Sequence, residues 1–483
     1  MRPNSLSVLN EDRFFDPQPS VRDVARLLYE SVADLPLVCP HGHVDPAILA
    51  DNAPFLEPTS LLLSPDHYVL RMLYSQGISM QSLGITGHSS AIPERDPRKS
   101  WQLFAENYFL FRGTPTRAWF DYELSEVFGI TVPLDGKNGP KIYDEIAEKL
   151  RSPEFLPRAL FERFKIEVLA TTDKATDLLA HHDAIRHSGW RGRVIPTFRP
   201  DALFAIASQG WKAEVETLAR VSEIPIHDFE SYLNAIRDRR SFFKSMGATA
   251  TDHGVESATT GRLPGNSLSA LFAKAFAGEC SMADQARFEA HMLMEMAGMS
   301  VDDGLVMQIH AGALRNHNSD LHASFGPDRG GDIPVASEFT RNLRPLLNEF
   351  GSVPGFTLVL FTLDESTYSR ELAPLAGHYP ALRLGPPWWF HDSMQGMIRF
   401  RESMTETAGI YNTAGFNDDT RAFCSIPARH DLSRRMDSNF LARLVSTHVI
   451  GESEALEMAR SLTYDLPRKT YRLDSTPEAG SHD

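Results

Sequence analysis

Eight short apolar runs, each ending in polar or glycine-containing residues and separated by helix-like stretches, constrain this chain more than any other feature. They are LVCPHGH at 37–43, IEVLATTD at 166–173, RVIPTFRP at 193–200, GATATDHG at 247–254, LVMQIHAG at 305–312, FTLVLFTLD at 356–364, LRLGPPWWF at 382–390 and GIYNTAGF at 409–416. Near-continuous apolar character is what a parallel strand shows when helices cover it. Helix-like segments such as KATDLLAHHDAIRHS and RNLRPLLNEFG lie between the runs. Strand, loop and helix repeated in this way predict an α/β chain folded as a (β/α)8 TIM barrel.

The spacing is uneven. More than 100 residues separate the first run from the second, and they carry helical periodicity in HYVLRMLYSQG, WQLFAENYFLF, TRAWFDYELSEVFG, IYDEIAEKL and FLPRALFERF. Residues 1–45 therefore read as an N-terminal segment with the first barrel strand, and 46–160 as a large, mainly α-helical insertion beside the barrel mouth. Residues 161–475 read as the rest of the barrel with helical elaborations, including SMADQARFEAHMLMEMAGM and the closing helices DLSRRMDSNFLARLVSTHVI and EALEMARSLTYDL. The polar end at 476–483, TPEAGSHD, reads as a frayed tail.

A formal net charge of -15 disfavours nucleic acid and anionic membrane as partners. The apolar runs are strand-sized, far short of a membrane span, and the N-terminus lacks the apolar segment of a secretory signal, so a cytoplasmic location is expected. Cys39, Cys280 and Cys424 form no CxxC pair and read as small core residues. No phosphate-binding motif appears, so neither a nucleotide nor an organic cofactor is expected.

In a (β/α)8 barrel, polar residues at the C-terminal ends of the strands converge on one site. His41 and His43 end the first run two residues apart, so on a strand both imidazoles would face one point, a set suited to zinc or a related divalent metal. The last run leads into FNDDTR, where Asp419 is the candidate carboxylate, able to bind metal or act as a base, while Asp418 could simply be solvated. His310 ends the fifth run, and Asp252 with His253 could add to the pocket. Arg199 and Arg315 could bind a carboxylate in bidentate fashion, although Arg199 could equally pair with Asp201. His67 and Tyr68 begin a helix of the insertion and could lie over a substrate. Trp388, Trp389 and His391 stand at another strand exit, where aromatic rings exclude water or pack on a sugar. GPDRGGD at 326–332 reads as a tight functional loop.

In order, PHGHVD, DHYV, ATTD, PTFRPD, ATDHG, QIHAGALRN, GPDRGGDI, GPPWWFHDS and NDDTR make nearly the whole chain resemble the uronate (glucuronate) isomerase family of the amidohydrolase superfamily. The resemblance implies a barrel of amidohydrolase type. It also implies reversible conversion of D-glucuronate to D-fructuronate and of D-galacturonate to D-tagaturonate, through C2-to-C1 proton transfer and a cis-enediol. It places a single metal, zinc, on His41, His43 and Asp419, and gives Asp419 a part in proton transfer as well. His67, Tyr68, Arg199 and Arg421 fall around the substrate, and His310 takes the superfamily's fifth-strand histidine position. No lysine occurs at ATATDHG to bridge two metals, which disfavours a binuclear hydrolase. A mononuclear amidohydrolase acting on a sugar-acid derivative and a noncatalytic sugar-acid binding protein remain as alternatives. Homo-oligomerisation through the added helices is a further expectation.

Overall fold

Parallel pairing organises the chain. In the computed structural model, which describes residues 9–88 and 93–474, the strands are β1 (Leu37–Cys39), β2 (Ile166–Ala170), β3 (Asp173–Lys174), β4 (Val194–Ile195), β5 (Phe198–Arg199), β6 (Ala250–Val255), β7 (Val306–Ala311), β8 (Ala313–Leu314), β9 (Ile333–Pro334), β10 (Leu358–Thr362) and β11 (Leu382–Leu384). One parallel sheet runs β1-β2-β4 and another β11-β10-β7-β6-β5-β3, while β8 and β9 form an antiparallel pair. The second and third apolar runs each divide in two, and their halves continue the same neighbour relation: Ala170 pairs with Ile195, and Asp173 with Phe198.

The strands bury both faces, as their apolar composition requires. Val38, Val168, Ala170, Ile195, Ala250, Val306, Val359 and Ala414 share one core, which Tyr471 and Leu473 also enter. Alternate residues of the same strands, including Met307, Ile309, Leu358 and Leu360, pack into a second core against helices such as Phe229–Ser245 and Met282–Asp303. Two faces, each apolar, explain why these runs read as continuous rather than alternating. The result is an α/β protein built on a parallel sheet.

The eighth run departs from expectation. Ile410–Asn412 is a turn of 3-10 helix, and Thr413 alone bridges, in parallel, to Leu384. Gly409 and Gly415, at φ of 69° and 77°, take left-handed conformations that interrupt an extended chain. Beyond them the His43 N–H donates to the Thr420 carbonyl at 3.0 Å, which joins the last run to the first.

Helices fill the stretch between β1 and β2, among them His67–Tyr74, Pro97–Asn107, Pro115–Tyr122, Gly139–Lys149 and Pro157–Arg163. Their starts follow local chemistry, since Asp66, Asp96 and Thr114 accept hydrogen bonds from backbone N–H groups of the first turns. The tail at 476–483 lies outside the described residues. Among the described residues, no helix is long and apolar enough to cross a membrane.

Candidate active site

A cavity of about 320 Å³ opens where β5 and the segments after β1, β8, β11 and the eighth run meet; its walls include His43, His67, Tyr68, Arg199, Arg315, Trp388, Trp389, Asp419 and Arg421. His41 and His310 lie buried beside it. Most of the candidate residues named from sequence are thus gathered in one place.

The two histidines converge for a reason other than strand alternation. β1 stops at Cys39, and His41 and His43 stand in the irregular segment that follows. Their Nε2 atoms lie 3.4 and 3.1 Å from the same oxygen, Asp419 Oδ1. That oxygen is buried, yet no aligned hydrogen bond reaches it. Two imidazole nitrogens and one carboxylate oxygen gathered this closely make a donor set that fits a divalent metal. Asp419 holds its place at φ 40°, a left-handed conformation that aspartate tolerates better than most residues.

Protonation states agree with ligation. Burial pushes the His41 imidazole down to about 4, which leaves it neutral at pH 7. Burial would raise the Asp419 carboxyl, but the neighbouring His41 and His43 rings outweigh it and hold the group well below the usual carboxylate range. Neutral imidazole and ionised carboxylate are the forms a metal requires.

Behind this triad, β7 sends Gln308 and His310 to the face that carries Val306. The Tyr471 hydroxyl donates to Gln308 Oε1 at 2.8 Å, and Gln308 Nε2 stands 3.4 Å from His41 Nδ1. His310 Nδ1 meets Asp252 Oδ1 at 2.7 Å, its Nε2 has no partner, and its ring stacks on Phe361 with centroids 4.0 Å apart. His41, Asp252 and His310 make a second convergent set sharing His41. His253 does not join the pocket: strand alternation turns it to the helical face, where Nδ1 meets the Gln308 carbonyl at 2.7 Å and the ring stacks near Phe204.

The positive side chains are pre-positioned by acids. Arg199 donates to Asp201 at 2.7 Å and lies 3.5 Å from Asp252, so it makes the structural ion pair and lines the cavity as well. Arg421 stands 3.1 Å from Asp328, and Arg315 donates to Asp332 at 2.9 Å while lying over Trp389. Both acids belong to the GPDRGGD loop, which accounts for its place at the mouth. His391 is turned outward, with Nε2 2.9 Å from the Leu363 carbonyl and Nδ1 3.3 Å from Glu365.

His67 and Tyr68 cap the cavity from the first turn of their helix, whose Asp66 cap accepts from the Tyr68 and Val69 N–H groups. Burial, reinforced by the charges of Arg421 and Arg429, lowers His67 to about 3, and its Nδ1 is unpartnered. Burial raises the Tyr68 phenol far above its ordinary value, so it stays a donor.

Sequence reasoning missed Arg429 and Asp392. Arg429, buried in the helix Ile426–Ser446, donates to Asp392 at 2.7 Å and lies 3.7 Å from the Trp119 ring centroid and 5.5 Å from that of Tyr68. Asp418 was also misjudged: it is fully buried, 3.3 Å from His430.

Near Arg429 and Asp66, the buried Glu123 is pushed up to about 8 by desolvation first and the Asp66 charge second. An unfolded glutamate titrates at about 4.3. Between these values the folded state keeps a proton that the unfolded state has released, so stability falls as pH rises, by up to about 1.4 kcal/mol per pH unit. Glu123→Gln removes that dependence. Urea midpoints of the two proteins are expected to diverge in favour of the glutamine variant as pH rises from about 5 to about 8; a constant difference would show that Glu123 does not titrate in this window.

Comparison with known proteins gives one answer. A family model described as glucuronate isomerase matches residues 13–471. The chain is 55% identical over 469 residues to the uronate isomerase of Sphingopyxis alaskensis, covering 96% of this chain and 99% of the relative. The crystal structure of glucuronate isomerase from Caulobacter crescentus superposes with a TM-score of 0.95 at 51% identity, over 98% of this chain and 99% of that one. That of uronate isomerase from Thermotoga maritima gives 0.89 at 29% identity, over 96% and 99%.

Proposed function

The chain belongs to the glucuronate isomerase family, and from that membership we propose how its residues carry out the reaction. The protein is an isomerase of hexuronates, converting D-glucuronate to D-fructuronate and D-galacturonate to D-tagaturonate. The fold reading is a closed (β/α)8 barrel of amidohydrolase type with residues 46–160 as a helical insertion. It is supported by the parallel register from β1 round to Thr413, by the shared inner core and by the His43–Thr420 bond.

His41, His43 and Asp419 are assigned to one zinc ion. When bound, the ion supplies Lewis acidity and orients a substrate hydroxyl. In the open-chain aldose the C1 carbonyl acidifies the C2 proton. Asp419, ionised throughout the physiological range, removes that proton, giving a cis-enediol whose developing oxygen charge needs preorganised donors. Tyr68, protonated, donates to this oxygen, and neutral His67, able both to give and to accept, moves the proton between O1 and O2. Return of the proton to C1 completes the ketose without oxidant or added water. Arg421, tied to a single acid and more exposed than the doubly paired Arg199, binds the sugar carboxylate, while Arg199 and Arg315 complete the positive wall. Trp388 and Trp389 exclude water, and His310, fixed by Asp252, lines the floor.

The observation that carries this reading is the single carboxylate oxygen shared by two imidazoles beneath a roof of His67 and Tyr68. Proton NMR of D-glucuronate incubated with zinc-loaded protein in deuterated water tests it. D-Fructuronate is expected to appear without hydrolysis, with deuterium at C1 to the extent that the transferred proton exchanges. Hydrolytic products from a sugar-acid derivative, with no ketose from either uronate, would favour the amidohydrolase instead.

A further inference from the structure

Below the site just described, three chemically capable side chains meet in the interior. Cys39 ends β1, Asp418 precedes the base Asp419, and His430 projects from the helix Ile426–Ser446. All three are buried, and one ligand atom from each lies within 4.8 Å of the others. His430 Nε2 stands 3.6 Å from Cys39 Sγ and 3.3 Å from Asp418 Oδ2.

These separations have a specific meaning. Zinc bonds of about 2.3 Å to sulfur and about 2.0 Å to nitrogen or oxygen, at tetrahedral angles, give a sulfur–nitrogen edge of about 3.5 Å and a nitrogen–oxygen edge of about 3.3 Å. The triad matches both edges. The nitrogen–oxygen edge is also that of the His41, His43 and Asp419 set, at 3.4 and 3.1 Å. Charge points the same way. Among the described residues, no lysine or arginine lies within ion-pairing distance of the fully buried Asp418 carboxylate, whose sole such contact is His430, and its Oδ1 has no partner. A buried carboxylate without a cation is costly, whereas a divalent ion held by one carboxylate and one thiolate leaves the cluster neutral.

We propose that Cys39, Asp418 and His430 form a second metal site, selective for a thiophilic divalent cation such as zinc, independent of the site that binds substrate. Its thiolate favours zinc, cobalt or cadmium over magnesium or calcium. Through Asp418 the ion would pin the turn that carries Asp419.

Cobalt substitution reads this site separately from the other, because only this one contains sulfur. The cobalt-loaded wild-type protein is expected to show a thiolate-to-cobalt charge-transfer band in the near ultraviolet and two bound ions per chain by elemental analysis. His43→Gln should lose one ion and keep the band. Cys39→Ser should lose the band while Cys280 and Cys424 remain. A wild-type protein that binds cobalt without the band overturns the proposal, whether or not the variant folds; so does a band that survives in Cys39→Ser. Isomerase activity enters neither outcome, so the second site can fail while the reading of the first stands.

Discussion

Asp419→Asn is expected to lower kcat for D-glucuronate by about 10²–10⁴-fold, the range that a general base contributes. Asparagine keeps the volume of the side chain and accepts the left-handed backbone found here at φ 40°, so the change removes charge and basicity and little else. Two effects are combined, since the same carboxylate is assigned to the metal. They separate if bound zinc is measured at each assay concentration: an activity that stays low when the ion is fully bound belongs to proton abstraction. C2-deuterated glucuronate should then keep its label in the variant and lose it in the wild type. A zinc-loaded variant within about tenfold of wild-type activity would assign the base elsewhere, with His67 the first group to test.

How far the sequence reached, and where it stopped, follows from the range of the interactions involved. The starts of helices were legible because capping is local: Asp66 stands next to the turn it caps, so SPDHYV announced both the helix and the exposure of His67 and Tyr68 to the cavity. The apolar runs were legible because burial on both faces removes alternation. Alternation itself, applied to GATATDHG, separates Asp252 from His253; admitting both to the pocket overlooked it. Applied to PHGH it gave the right convergence by the wrong route, since the strand ends before His41. The eighth run failed as a strand because Gly409 and Gly415 sit at either end of GIYNTAGF and both adopt positive φ. Asp418 looked solvated beside Asp419 because nothing in NDDTR distinguishes two adjacent aspartates. What distinguishes them is His430, which reaches Asp418 from the next helix.

Arg429 illustrates the remaining limit. The helix Ile426–Ser446 is polar along most of its length, RHDLSRRMDSN, yet it buries Arg429, Arg434 and Arg435 together with Asp431 and Asp437. A charged stretch of this kind reads from sequence as a solvated face. Here each charge has a distant partner: Arg401 donates to Asp437 at 2.6 and 2.9 Å, and Arg434 donates to the carbonyls of Ala33 and Leu35. Such pairs specify how the helix docks and leave no periodic trace.

Arg429→Met is accordingly expected to destabilise the fold by about 3–5 kcal/mol, because it leaves Asp392 buried with no countercharge. Methionine fills most of the same length and can still lie against Trp119, so the loss is mainly electrostatic. If that is right, the double variant Arg429→Met/Asp392→Asn should recover most of the stability in urea unfolding, since removing both charges of a buried pair is often nearly neutral. A cavity effect would not recover, because Asp392→Asn restores no volume. Activity should behave differently from stability. Arg429 lies over the Tyr68 ring at 5.5 Å and donates to the Asp418 carbonyl at 3.4 Å, so it braces both the roof of the cavity and the turn that holds Asp419, the proposed base. The double variant should therefore fold and yet remain impaired in kcat, with bound zinc at the first site unchanged. Full recovery of turnover along with stability would reduce Arg429 to a structural ion; recovery of stability alone would make it a positioning residue for Tyr68 and Asp419.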